Sequence, residues 1–155
     1  MRPFWNVQLA LLFLTAGLVL AACGDSAPSS TGISGSPTYP TAISGTYAAT
    51  SLTLTEAGGT TDMLAAGAAI SMVLTPGGGT TGTMTVPAAY SESGEEELVS
   101  LIGTYTYDPS TGVATFSHAG DTFLRDTEWH AKGTKLNGTF DGGSYTLAAT
   151  LDSGT

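Results

Sequence analysis

Ser117, His118 and Asp121 lie within five residues of one another and are the residue types of a nucleophilic triad. Such a site needs a serine held against a histidine base, with an oxyanion hole beside them. Ser117 and His118 are neighbours in one strand-like run, so their side chains point to opposite faces. No G-x-S-x-G elbow occurs either, so no catalytic residue is assigned and no enzyme is expected. Metal ligation would draw on His118, Asp121, Glu128 and His130. Glu128 and His130 share a strand face, where both could reach one ion. Lys132 stands on the same face, and an exposed polar surface accounts for all three, so no metal site is assigned. Gly77, Gly79 and Gly82 match G-x-G-x-x-G, but a strand follows where a pyrophosphate requires a helix N-terminus. No cofactor is expected. The acidic run 87–97, PAAYSESGEEE, lacks the spaced ligands and turn glycine of a calcium loop and reads as a solvated loop.

One residue has a defined chemical fate. Cys23 is the only cysteine, and the apolar segment Leu9 to Leu20 followed by Ala21-Ala22 stands ahead of it. Arg2 is the one charge before that segment, and the small side chains of Ala21 and Ala22 suit a signal peptidase. The run is shorter than the roughly 20 residues a membrane-spanning helix needs. Leu20-Ala21-Ala22-Cys23 resembles the lipobox of bacterial lipoproteins. The resemblance implies cleavage between Ala22 and Cys23 and acylation of Cys23, with palmitate among the chains. Two or more lipid signals give stable anchoring, so the lipid bilayer is the expected partner. In many Gram-negative bacteria an aspartate directly after the cysteine retains a lipoprotein in the inner membrane. Here Gly24 holds that position, which implies the outer membrane, facing the periplasm.

Three segments follow: a signal peptide at 1–22, the lipidated cysteine with a flexible Ser/Gly/Pro linker at 23–43, and a β domain at 44–155. The linker would reach at most about 70 Å stretched and about 25 Å as a coil. Arg125, Lys132 and Lys135 are the basic residues after the leader and face thirteen acidic ones, a net charge of about −10. Nucleic-acid binding needs clustered Lys/Arg and is disfavoured, whereas a self-repelling surface favours a monomer.

Abundant Thr and Gly favour strands and tight turns, and long amphipathic helical patterns are missing. A strand spans Thr46 to Thr55, with Tyr47 and Ala49 on one parity and Leu52 and Leu54 on the other. That switch predicts a bulge near Thr50. Gly58-Gly59 ends it, and 62–69 is either a helical turn or a linker. Ile70-Met72-Leu74 and Met84-Val86 alternate as half-buried strands around a PGGGTTG hairpin loop. One strand is expected over Leu98 to Tyr107, a turn at Asp108–Gly112, and a partner strand with Ala114, Phe116 and His118 on one face. Phe123 and Leu124 fall in a connecting segment. Further strands carry Trp129, Leu136 to Phe140, and Tyr145 to Leu151.

About eight short strands in sequential hairpins predict an all-β fold, a small antiparallel up-and-down barrel whose closure removes exposed edges. A two-sheet β-sandwich is the alternative. The run from Gly103, GTYTYDPSTGVATFSHAGDTFLRDTEWHAKGTKLNGTF, through to Leu151 resembles the second half of small lipocalin-like, calycin-type domains of bacterial lipoproteins. Gly45-Thr46-Tyr47 is similar to the opening of their first strand. The resemblance covers about 105 residues and departs in the first half, where Ala and Thr replace the family's aromatics. It implies a non-enzymatic module binding a small hydrophobic ligand or a protein partner. Tyr105, Phe116, His118, Trp129 and Tyr145 are the candidate pocket lining, with core packing as their competing role. The alternative function is an envelope structural or assembly accessory with a fully packed barrel.

Overall fold

The structure, a computed structural model, describes residues 38–120 and 123–154. Ala22, Cys23 and Asp121 lie outside the described residues. Ten strands form one antiparallel sheet: β1 (Gly45–Glu56), β2 (Gly59–Asp62), β3 (Ala69–Leu74), β4 (Gly79–Val86), β5 (Glu97–Ser100), β6 (Gly103–Asp108), β7 (Val113–His118), β8 (Trp129–Lys132), β9 (Lys135–Asp141) and β10 (Tyr145–Ser153). Eight of them close a barrel in the order β1-β3-β4-β6-β7-β8-β9-β10, with β10 pairing back onto β1 from Ser153↔Tyr47 to Tyr145↔Glu56. The up-and-down barrel is therefore the fold, and the sandwich is not.

The remaining two strands are extensions of barrel strands. β5 pairs β4 from Val86↔Glu97 to Thr83↔Ser100, and β6 resumes against the same strand at Thr80↔Gly103. Leu101 N donates to Gly82 O at 3.0 Å, so one register runs through both. The single strand expected over Leu98 to Tyr107 is thus broken at Leu101-Ile102. Leu101 turns fully inward while Ile102 is 65% exposed. β2 pairs the far half of β1 as β3 pairs the near half. Between them the 62–69 stretch is a turn, in which the Asp62 carboxylate accepts from the amides of Leu64 and Ala65.

Alternation fills the barrel as the periodicity implies. Ile70, Met72 and Leu74 point in, as do Ala114, Phe116 and His118, then Trp129 and Ala131. The β1 register shifts between Ala49 and Ser51, where the parity switch places it, and moves the inward set from Tyr47 to Leu52 and Leu54. Outward positions such as Thr81, Thr83, Thr104, Thr106, Thr115, Ser117, Asn137 and Lys132 are polar and exposed. That is the reverse of a membrane-spanning barrel, whose outer band is apolar. The hairpin before β4 is shorter than PGGGTTG: it turns within 75–78, with Thr75 Oγ1 accepting from Gly79 N, and Gly79 and Gly82 belong to β4.

Packed chain begins ahead of Ser44. Ile43 is buried in the core, Tyr107 Oη donates to Pro40 O at 2.6 Å, and the Tyr39 ring covers Gly112. Residues 38–43 have the composition of a linker, but the apolar side chains of Tyr39 and Ile43 bind them to the end of the barrel where β1 starts.

Candidate functional site

The two ends of the barrel differ because their side chains differ in bulk. In the middle, Phe116 meets Tyr105 (ring centroids 6.4 Å apart), stacks on His118 (5.6 Å) and stands edge-on to Trp129 (6.1 Å), which in turn meets Phe123 (6.1 Å). Trp129 is fully buried and its Nε1 donates to Leu124 O at 3.0 Å. Directly opposite it on β9 is Gly138, where any Cβ would lie 2.8 Å from the indole. The chain leaves a side chain out so that the ring can lie down. Phe116 therefore packs between His118 and Trp129, and none of the three lines either of the cavities at the two ends of the barrel. Tyr105 lies toward the β1-start end and donates to Thr75 O at 2.8 Å.

Beyond Phe123 the barrel is hollow. A cavity of about 390 Å³ opens at the far end, where β1 and β4 finish and β10 begins. Its wall on one side is Leu52 of β1 with two opposed pairs of β1 and β10, Leu54/Leu147 and Glu56/Tyr145. Met63 and Ala68 of the 62–69 turn, Met84 and Val86 of β4, and Tyr90 of the loop after β4 complete it. Of the five residues singled out from the sequence, Tyr145 alone lines this space. Aromatic spacing in the sequence does not point to the aliphatic lining residues. The signal was the Leu52-Leu54 row running toward the end of β1 with only short Ala, Ser and Thr side chains flanking it before Glu56. Short side chains leave room that aromatics would fill. A second cavity, about 300 Å³, lies at the opposite end between residues 41–44 and Tyr105, Tyr107 and Pro109.

Among the described residues the one buried histidine, His118, is paired with Thr80, while buried Thr127 donates to Phe123 O. Thr80 Oγ1 donates to Leu101 O (2.9 Å) and so receives the Nε2–H of His118 at 3.1 Å. That assigns the Nε2–H tautomer, with Nδ1 the acceptor; among the described residues Nδ1 has no partner. Burial, reinforced by Arg125, holds the His118 pKa below its ordinary value. A depressed histidine pKa means the unfolded chain binds the proton first. The stability it contributes is present above about 6.5, its unfolded pKa, and is lost as pH falls from there toward the folded value. His118→Leu removes one hydrogen bond and also the unpartnered acceptor, so stability at pH 8 should change by no more than about 1 kcal/mol. Urea midpoints measured at pH 8 and pH 5 should converge in the variant. An acid-side loss as steep as that of the parent would show that His118 is not its source. Asp108 and Asp126, whose pKa values are lowered by the Ser110 hydroxyl and by Arg125, titrate in a more acidic range.

The other candidates are dispersed. His130 Nε2 and Glu128 Oε1 lie 3.1 Å apart, both side chains exposed on the outer face. Among the described residues no group of three or more His, Cys, Asp or Glu is placed to hold a metal ion. Ser117 faces outward and His118 inward. The acidic loop closes on itself: the Glu97 carboxylate accepts from Ser91 Oγ (2.7 Å) and Ser93 Oγ (2.9 Å), which lowers its pKa. No protein family, curated protein or solved structure matches this chain.

Proposed function

We propose that this is a lipid-anchored, lipocalin-like protein of the bacterial envelope whose barrel is a non-enzymatic module for a small apolar ligand. Cys23 carries the acyl chains at the periplasmic face of the outer membrane, and the linker lets the barrel stand off the headgroups. The observation that carries the binding role is the apolar cavity between β1, β4 and β10. Its volume of about 390 Å³ lies in the range of about 300–1,000 Å³ usual for small-molecule sites. The polar outer face of the barrel supports a water-facing domain tethered to the membrane. The ring contacts around Phe116 and Trp129 favour an envelope accessory instead, and the cavity at the far end is what separates the two readings.

Native mass spectrometry of the full chain taken from a bacterial envelope tests both parts. The expected spectrum shows acyl mass on Cys23 and a non-covalently bound apolar molecule. Ala68 is 7% exposed and lines the cavity, so Ala68→Trp should fill it and lower ligand occupancy at least about tenfold. An unmodified thiol would remove the anchor. An empty barrel from several hosts, or occupancy indifferent to Ala68→Trp, would remove the ligand.

A further inference from the structure

Leu52 and Leu54 are buried positions of β1 and Glu56, the next residue of the same parity, is exposed, so the row that lines the cavity ends in a carboxylate at its rim. Among the described residues Glu56 is the single charged residue of the lining. Of the other carboxylates near this end, Glu97 is engaged by two serine hydroxyls and Asp62 by two backbone amides, while Glu92, Glu95 and Glu96 in the loop after Tyr90 add exposed negative charge. Glu56 has no side-chain hydrogen bond or ion pair among the described residues. Among the described residues no Lys or Arg lines the cavity. Arg125 is bound to the Asp126 carboxylate at 2.8 and 2.9 Å, Lys135 pairs with Asp152, and Lys132 lies exposed on the outer face of β8. A ligand carboxylate here would meet another carboxylate and no counter-charge, whereas an ammonium would meet its complement.

Building on the binding role above, we propose that the ligand is an alkyl amine, a single apolar chain ending in a protonated amino group. Its chain lies along Leu54, Leu147 and Met84, and its head reaches Glu56. Alkyl carboxylates of the same length are discriminated against.

Displacement of an uncharged naphthylamine fluorophore from the full chain by decylamine, decanol and decanoate, at neutral pH and low salt, tests this. Decylamine should bind about tenfold more tightly than decanoate, with decanol between them. Salt near 1 M should collapse the difference, since screening then acts within about 3 Å. Glu56→Gln should narrow the ratio to below about threefold. Asp108→Asn removes the same charge at the opposite end and should leave it intact. Equal binding of decylamine and decanoate, or a ratio that survives Glu56→Gln, overturns the assignment of the head group while the cavity stands. If neither the fluorophore nor any of the three probes binds, the binding role fails and the head-group assignment fails with it.

Discussion

Trp129→Ala is expected to destabilise the domain by about 4 kcal/mol, the usual range for deleting a large buried aromatic being about 3–5. Trp129 is 0% exposed, lies between Phe116 and Phe123, and donates its indole N–H to Leu124 O. Truncation removes the apolar area, opens a void over Gly138 and strands a buried carbonyl. β7 and β8 pair only at Val113↔His130 and Ala114↔Trp129, so this seam has little ladder hydrogen bonding to compensate. For a domain of this size the melting temperature should fall by on the order of 15 °C. Trp129→Phe keeps most of the packing and loses the hydrogen bond, so it should cost about 1–2 kcal/mol. Thermal unfolding followed by far-UV circular dichroism separates the two. Equal losses for both variants would mean that the hydrogen bond, not the packing, dominates.

Gly82→Ala should be comparably damaging for a different reason. Gly82 sits inside β4 with φ +147, where side-chain-bearing residues are strained. An added Cβ would overlap the Ser71 carbonyl oxygen and lie 2.8 Å from Met72 Cα, both backbone atoms of β3. Backbone in a closed sheet cannot move aside as a flexible side chain can. Overpacking of about 1–3 kcal/mol and backbone strain of similar size together give roughly 4 kcal/mol. The damage falls at the bend where Leu101 crosses from β5 to β6 against Gly82 O. Slowed amide exchange should therefore be lost first around residues 98–104. A variant as stable as the parent would show that β4 relaxes freely at this point.

The strands and their inward faces were legible because period-2 alternation depends only on neighbouring residues. Tyr47 followed by Leu52 and Leu54 disclosed the bulge in β1, and Ile70-Met72-Leu74 disclosed β3. Closure was foreseeable from the number of strands and the tight turns between them. Two things were not local. The break at Leu101-Ile102 depends on the sheet turning a corner at Gly82, where strands far apart in sequence approach. Gly82 itself looked like part of a loop for the same reason.

The site divides along the same line. Sequence alone placed Trp129, Phe116 and His118 in the interior and identified Tyr145 as a strand residue. Whether those aromatics filled the barrel or bordered a space depended on what stood across from each. Gly138 opposite Trp129 lets the ring close the middle, while Leu54 opposite Leu147 leaves the far end open. Free volume is a sum over facing residues that only folding brings together, so the hollow, and Glu56 at its rim, belong to the tertiary structure.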